Sequence, residues 1–308
     1  MLQVTNISFS YATETAISSI NFVLNKGQNL AIIGESGCGK STLLKLIYGL
    51  YDLNQGEIFW NENQVLGPKY HLVPGMPFMK YLAQDFDLMP FITVAENVGK
   101  YLSNFYPKEK KARIAELLEL VEMSEFATTK AKFLSGGQMQ RVALAKVLAL
   151  EPEVLLLDEP FSHIDNFRKN SLRRRIFSYL KSKNITCIVA THDVNDSLSF
   201  ADEILVMKNG AIEAKGTPKT IFQNPSSFYV ASLFGDVSVV KMNGSTNFVY
   251  PHQFQVVQSS DIKVEVVQSY FKGSHFLVEG KFENQLVFFE SLKELSTGEI
   301  VFLEVKEA

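Results

Sequence analysis

The sequence predicts an α/β protein built on a parallel core sheet, followed by a small all-β domain. Between residues 29 and 201, short apolar runs alternate with segments whose apolar residues recur at helical spacing, the order expected of a parallel sheet. Past residue 236 the period changes. Short alternating runs at 263–267, 276–282, 285–290 and 300–305 read as strands, parted by turns at Lys272-Gly273-Ser274, Glu283-Asn284 and Thr297-Gly298. The 308 residues leave room for two domains. We place them at 1–235 and 236–308.

In chain order, 2–9 and 20–25 alternate as strands, and 29–33 is an apolar run stopping at Gly34. A glycine-rich turn follows, then a helix carrying Leu43, Leu44, Ile47 and Leu50. Residues 57–66 read as a strand pair. Residues 67–83, rich in Pro and Gly without a period, read mostly as loop. Helices are expected at 107–123, from Gly137 to about Leu150, at 167–182 and at 194–201. Fully buried strands are expected at 154–157 and 185–190. We place a helical subdomain at about 85–150.

Composition excludes several classes. Apolar residues make up 46% and charged residues 20%, ordinary for a globular chain. A net charge of −3 without a basic block argues against a nucleic-acid binder. Two cysteines, Cys38 and Cys187, do not make a disulfide framework and fit a reducing compartment. No basic start with an apolar run marks a signal peptide, and no stretch reaches the ~18 apolar residues of a spanning helix.

Gly34-Glu35-Ser36-Gly37-Cys38-Gly39-Lys40-Ser41 fits G-x-x-x-x-G-K-[ST], a phosphate loop (Walker A), here between a strand and a helix as that motif requires. Glycines let successive N–H groups turn inward, and the helix start adds partial positive charge. Lys40 would reach the β- and γ-phosphates, Ser41 would ligate Mg²⁺ and Thr42 would donate to the α-phosphate. Cys38, at the helix start, is expected to be a reactive thiol. Downstream, Val154-Leu155-Leu156-Leu157 ends in Asp158-Glu159-Pro160. Asp158 is expected to hold Mg²⁺, and Glu159 to act as general base on the attacking water.

Phe133-Leu134-Ser135-Gly136-Gly137-Gln138, followed by Gln140-Arg141, resembles the LSGGQ signature of ABC (ATP-binding cassette) ATPases. The resemblance covers roughly residues 1–235 and implies an ABC-type P-loop NTPase core using ATP and Mg²⁺. By the same resemblance Tyr11 stacks on adenine and Gln84 contacts Mg²⁺ and water. His192 is the switch histidine, and Asp165 belongs to the loop after the acidic strand. There Ser162-His163-Ile164-Asp165 carries His-Ile where the family more often has Ala-Leu. Ser135, Gly136, Gly137 and Gln138 would face the phosphate loop of a second copy. This implies a homodimer, head to tail, with ATP sandwiched between subunits.

The tail segments Val249-Tyr250-Pro251-His252-Gln253 and Gly298-Glu299-Ile300-Val301-Phe302-Leu303 resemble the small OB/TOBE-like β-domain of importer ATPases of the iron, polyamine and sulfate group, although that group usually has Arg-Pro-Glu where this chain has Tyr250-Pro251-His252. The resemblance implies an import subunit peripheral to the cytoplasmic face of the inner membrane. It would work with separate transmembrane permease subunits and a substrate-binding protein. An exporter ATPase, a soluble ABC ATPase and a non-hydrolysing nucleotide sensor remain alternatives at this point. Glu159 speaks against the last, and a single cassette without long heptads speaks against the soluble types.

Overall fold

The computed structural model describes residues 1–12, 14–242, 245–283 and 285–306. Its chain divides into two compact units, Met1–Lys219 and Thr220–Ala308.

In the first unit a six-stranded sheet has five parallel strands: Glu203–Lys208, Asn29–Ile33, Thr186–Ala190, Val154–Asp158 and Met79–Leu82, in that order across the sheet. Ala211–Gly216 pairs antiparallel at the edge beside Glu203–Lys208. Three of the four inner strands, Asn29–Ile33, Val154–Asp158 and Thr186–Ala190, are buried along their whole length. This explains their continuous apolar reading, because both faces of the sheet are covered. Leu155, Leu157, Cys187 and Val189 point to one side, into a core shared with residues 94–180. Val154, Leu156, Ile188 and Ala190 point to the other, toward Leu43, Leu44 and Ile47. That second core is closed by an antiparallel sheet in which Leu2–Tyr11 lies between Glu14–Leu24 and Gln55–Trp60.

Local chemistry fixes the helix ends. Lys40–Tyr48 stops at Gly49 (φ 80°), whose N–H reaches Leu46 O while Leu50 N–H reaches Lys45 O, closing the last carbonyls in a Schellman pattern. Gly136–Leu148 starts at a capping box. The Ser135 hydroxyl accepts from Gln138 N–H, and the Gln138 side chain accepts from Ser135 N–H. Pro107 opens Pro107–Leu120, where its missing N–H costs nothing.

The second unit holds a two-stranded sheet, Ser238–Met242 with Ser245–Val249, and a five-stranded antiparallel sheet. Ile262–Phe271 shows how the latter is written in sequence: Ile262, Val264 and Val266 point inward while Lys263 and Glu265 face out.

Two readings need correction. Residues 67–83 are not all loop, because Met79–Leu82 pairs in parallel with Val154–Asp158 as the sheet edge. Glu203–Lys208 and Ala211–Gly216 are strands that the pattern reading passed over. The contact boundary falls at Lys219/Thr220, ahead of the change of period near 236. Its cause is aromatic. Phe222 stacks on Tyr250 at 4.5 Å, and the Tyr250 hydroxyl donates to Ala231 O, so the segment after 220 folds with the β-strands. Asn284, in the turn expected at 283–284, lies outside the described residues.

Candidate nucleotide-binding and hydrolysis site

The phosphate loop and the acidic strand end meet at the carboxyl ends of the parallel strands, where open α/β sheets place their ligands. A cavity of about 540 Å³ opens there, lined by Tyr11, Ser36, Gly37, Gly39, Lys40, Ser41, Thr42, Gln84, Asp158 and Glu159 among others. Gly34 leaves its strand at φ 151°, and a Cβ there would lie 2.3 Å from Met207 O. Gly39 sits at φ 105°, with room for no Cβ beside Ala16 O. Lys40 is curled over the loop, its ammonium donating to Gly34 O at 2.7 Å and Glu35 O at 2.8 Å.

Opposite the loop, the Ser41 hydroxyl donates to Asp158 Oδ1 at 3.0 Å and the Tyr81 hydroxyl donates to Asp158 Oδ2 at 3.1 Å. Burial pushes the Tyr81 phenol far above its ordinary value, and the Asp158 charge adds to this. Tyr81 therefore stays a donor. Ser41, Asp158 and the nearby Gln84 amide offer only hard oxygens, a donor set that fits Mg²⁺. Among the described residues no group of three His, Cys, Asp or Glu could hold a metal by itself. The phosphates of a nucleotide would have to complete any such shell.

Glu159 is fixed at three points. Its N–H donates to Ala190 O at 2.9 Å, its carbonyl accepts from Gln140 and Ser162, and its carboxylate lies 2.8 Å from His192 Nδ1. Its backbone is left-handed, φ 51°. His192 is exposed, with 72% of its side chain open to solvent. Its turn is anchored from below, where Arg173, only 1% exposed, pairs with Asp193 and Asp196 while Thr191 donates to Asp196.

Tyr11 is half-exposed at the mouth. Its ring stands edge-on to Phe9 and Tyr51, and its hydroxyl shares a hydrogen bond with Thr42 at 3.3 Å. Ser135, Gly136, Gly137 and Gln138 line a different cavity, of about 380 Å³, together with His163, Ile164 and Asp165. Asp165 thus groups with the signature segment and not with the phosphate loop of its own chain.

Cys38 departs from expectation. Its thiol belongs to the buried core behind the loop, only 6% exposed and 3.8 Å from the Lys40 ammonium, so the reactivity expected from its place at a helix start lacks access. Tyr81 was missed because its strand was read as loop. Gln140 lay in plain view beside the signature, but nothing local shows that its side chain turns toward Glu159.

A glycine loop bridging strand and helix, with an acid-ended strand beside it, defines a P-loop nucleoside triphosphatase. A profile described as ABC transporter matches residues 17–162. The chain is 35% identical over 245 residues to the Fe(3+) ions import ATP-binding protein FbpC of Haemophilus influenzae (strain 86-028NP), spanning 79% of this chain and 70% of that protein. It is 33% identical over 241 residues to the spermidine/putrescine import ATP-binding protein PotA of Pasteurella multocida (strain Pm70), spanning 78% and 64%. A dimeric ATP-binding cassette, MJ0796, in a post-hydrolysis state bound to ADP and Pi superposes with a TM-score of 0.63 at 28% identity, covering 71% of this chain and 99% of that one. The chain belongs to the ABC transporter family, as an ATP-binding and ATP-hydrolysing subunit.

Proposed function

We propose that this chain powers import of a solute through a membrane permease made of other chains, working as a head-to-tail homodimer that closes on two ATP molecules. The observation carrying this reading is the division of the machinery between two cavities. Lys40, Ser41, Asp158, Gln84 and Glu159 surround one, while Ser135 to Gln138 open into another. A phosphate bound at the first lacks the second set of donors unless another copy supplies it, and twofold symmetry then completes both sites at once.

In this reading the inward N–H groups of Gly34, Glu35, Ser36, Gly37, Cys38 and Gly39 hold the phosphates, and Lys40 leaves its loop carbonyls to meet them. Tyr11 stacks on the adenine. Ser41, Asp158 and Gln84 would hold Mg²⁺, which when bound neutralises phosphate charge. Glu159 accepts the proton of the attacking water, and His192 orients its carboxylate. Asp165 and the signature residues meet the partner's nucleotide. Loss of the γ-phosphate removes the shared anion and reopens the dimer.

The domain limits 1–235 and 236–308, with the second an OB/TOBE-like module, belong to this proposal. So does an inner-membrane cytoplasmic-face location. Relatives named for Fe(3+), spermidine/putrescine and sulfate/thiosulfate import support a solute of that small charged kind, delivered by a substrate-binding protein. Among the described residues no helix is long and apolar enough to cross a membrane. No nucleic-acid partner is proposed.

The test is to compare wild type with Glu159→Gln for ATP turnover and for size in Mg²⁺ and ATP. We expect turnover to vanish and an ATP-dependent dimer to persist in the variant. A variant that turns over like the wild type would remove Glu159 from its role. One that binds ATP yet stays monomeric would remove the sandwich.

A further inference from the structure

We infer that Gln140 is a positioning residue that couples the signature helix to the catalytic base of the same chain. This rests on the proposed role of Glu159 and adds what sets the geometry of that carboxylate.

Gln140 is buried within the helix Gly136–Leu148, little more than one turn beyond the capping box that displays Ser135, Gly136 and Gly137 to their cavity. Its amide nitrogen donates to Glu159 O at 2.8 Å and to Ser162 Oγ at 3.3 Å, and its amide oxygen accepts from His163 N–H at 3.0 Å. All three polar edges of this side chain are spent on the turn that carries the base. Ser162 closes the circuit, donating from its hydroxyl to the same Glu159 carbonyl at 3.0 Å.

The turn is also bound sterically. A Cβ at Gly137 would lie 2.6 Å from His163 O, so the first turn of the helix rests directly on the 159–163 backbone. On its outer side the His163 ring meets Phe86 edge-on at 5.3 Å, two residues after Gln84. Helix start and base turn therefore form one rigid block with a hydrogen-bonded core.

That block spans the two cavities. Its signature end opens into one, and its Glu159 end reaches into the other. Within a head-to-tail dimer these ends serve different nucleotides. An anion seated against Ser135 to Gly137 would then pull on the carbonyl of Glu159 in the opposite site. The left-handed backbone of Glu159 makes this lever effective. A non-glycine residue holds φ 51° only while its neighbours enforce it. Once the Gln140 donor is lost, the Glu159 carbonyl keeps only the hydroxyl and N–H of Ser162, both from its own turn, and the signature helix no longer holds the angle that aims the carboxylate. Gln140 does not itself line the phosphate-loop cavity and meets it only through the backbone carbonyl of Glu159, so ATP affinity and dimer closure should not depend on it.

Gln140→Glu keeps the volume and the acceptor for His163 N–H and removes the donors. Gln140→Leu removes both. Turnover against ATP, melting temperature and ATP-dependent dimerisation in a Glu159→Gln background separate the outcomes. We expect kcat to fall about 10- to 100-fold in both variants, the loss that slight misplacement of a catalytic group produces. KM should stay within about twofold, the Hill coefficient for ATP should drop toward one, and the trapped dimer should still form. Wild-type kcat and cooperativity in Gln140→Glu, with Glu159→Gln inactive, would overturn this inference alone. A kcat loss accompanied in both variants by equal loss of ATP binding and of melting temperature would reduce Gln140 to a core residue and also overturn it. Wild-type turnover in Glu159→Gln would instead bring down the proposed base.

Discussion

Replacing Arg173 by Met tests whether the His192 turn depends on a buried charge network. The guanidinium is 1% exposed, donates to Asp196 at 2.5 Å, pairs with Asp193 and lies over the Phe161 ring at 5.5 Å. Met preserves the stem and its contact with Phe161 but leaves two carboxylates facing an empty place. Removing one partner from a buried pair costs about 3–5 kcal/mol, because the other charge stays desolvated. For a unit the size of Met1–Lys219, 1 kcal/mol moves the melting temperature by about 2–4 °C, so a drop on the order of 10 °C is expected. Acid should narrow the gap. Burial pushes the Asp193 carboxyl up, but the Arg173 hydrogen bond and charge outweigh it and hold the group below the ordinary Asp value. Its contribution to stability is therefore present above about pH 3.9 and lost as pH falls through the lower folded value. The Arg173→Met variant never has that contribution. Asp196 behaves oppositely, since burial raises it and Thr191 and Arg173 offset this only in part. For both carboxylates, however, protonation erases what the guanidinium supplies. Melting curves of both proteins from pH 7 to below the ordinary Asp value of about 3.9 check the argument. A variant melting within about 2 °C of wild type at pH 7 would refute it, since even 1 kcal/mol would then be missing.

Gly34→Ala should lose ATP binding by about tenfold or more, since a Cβ 2.3 Å from Met207 O at φ 151° forces the loop out of shape; a binding isotherm with ATP checks this. Ser135→Asp should melt like wild type, because Asp caps a helix as well as Ser, yet its charge in the signature cavity should abolish the ATP-dependent dimer of Glu159→Gln; the two readouts come from one sample by calorimetry and gel filtration. Iodoacetamide should label Cys38 no faster than the unfolding rate, with or without ATP, and rapid labelling of the native protein would restore the reactive-thiol expectation.

The parallel strands were legible because both their faces are buried, which leaves uninterrupted apolar runs at 29–33, 154–157 and 185–190. Met79–Leu82 was not, and the reason is physical. Its four residues carry one Lys and one Tyr, sit at the sheet edge and hold their place only through pairing with a strand some seventy residues away. With the strand hidden, Tyr81 and its bond to Asp158 were hidden too. Val94–Val98 is too short to show a helical period. Its capping box, Thr93 with Glu96, was the one readable sign. Cys38 shows the opposite failure. A local rule about helix starts was applied to a side chain that the fold turns into the buried core.

Glu159 joins these two kinds of information. Motif and strand end name it from sequence, and Pro160 after it disfavours the right-handed helical backbone. What the sequence does not carry is the left-handed φ of 51°, which local chemistry alone would not choose for a glutamate. Beside the local bonds from Ser162 to its carbonyl, three distant groups hold it: Ala190 O on the nitrogen, Gln140 on the carbonyl and His192 on the carboxylate. Each belongs to a different element, the sheet, the signature helix and the turn held by Arg173. Displacing any one of them changes the aim of the same carboxylate. A base built this way is open to displacement from three elements, which is the property that the proposed motor, coupling nucleotide, partner subunit and permease, requires.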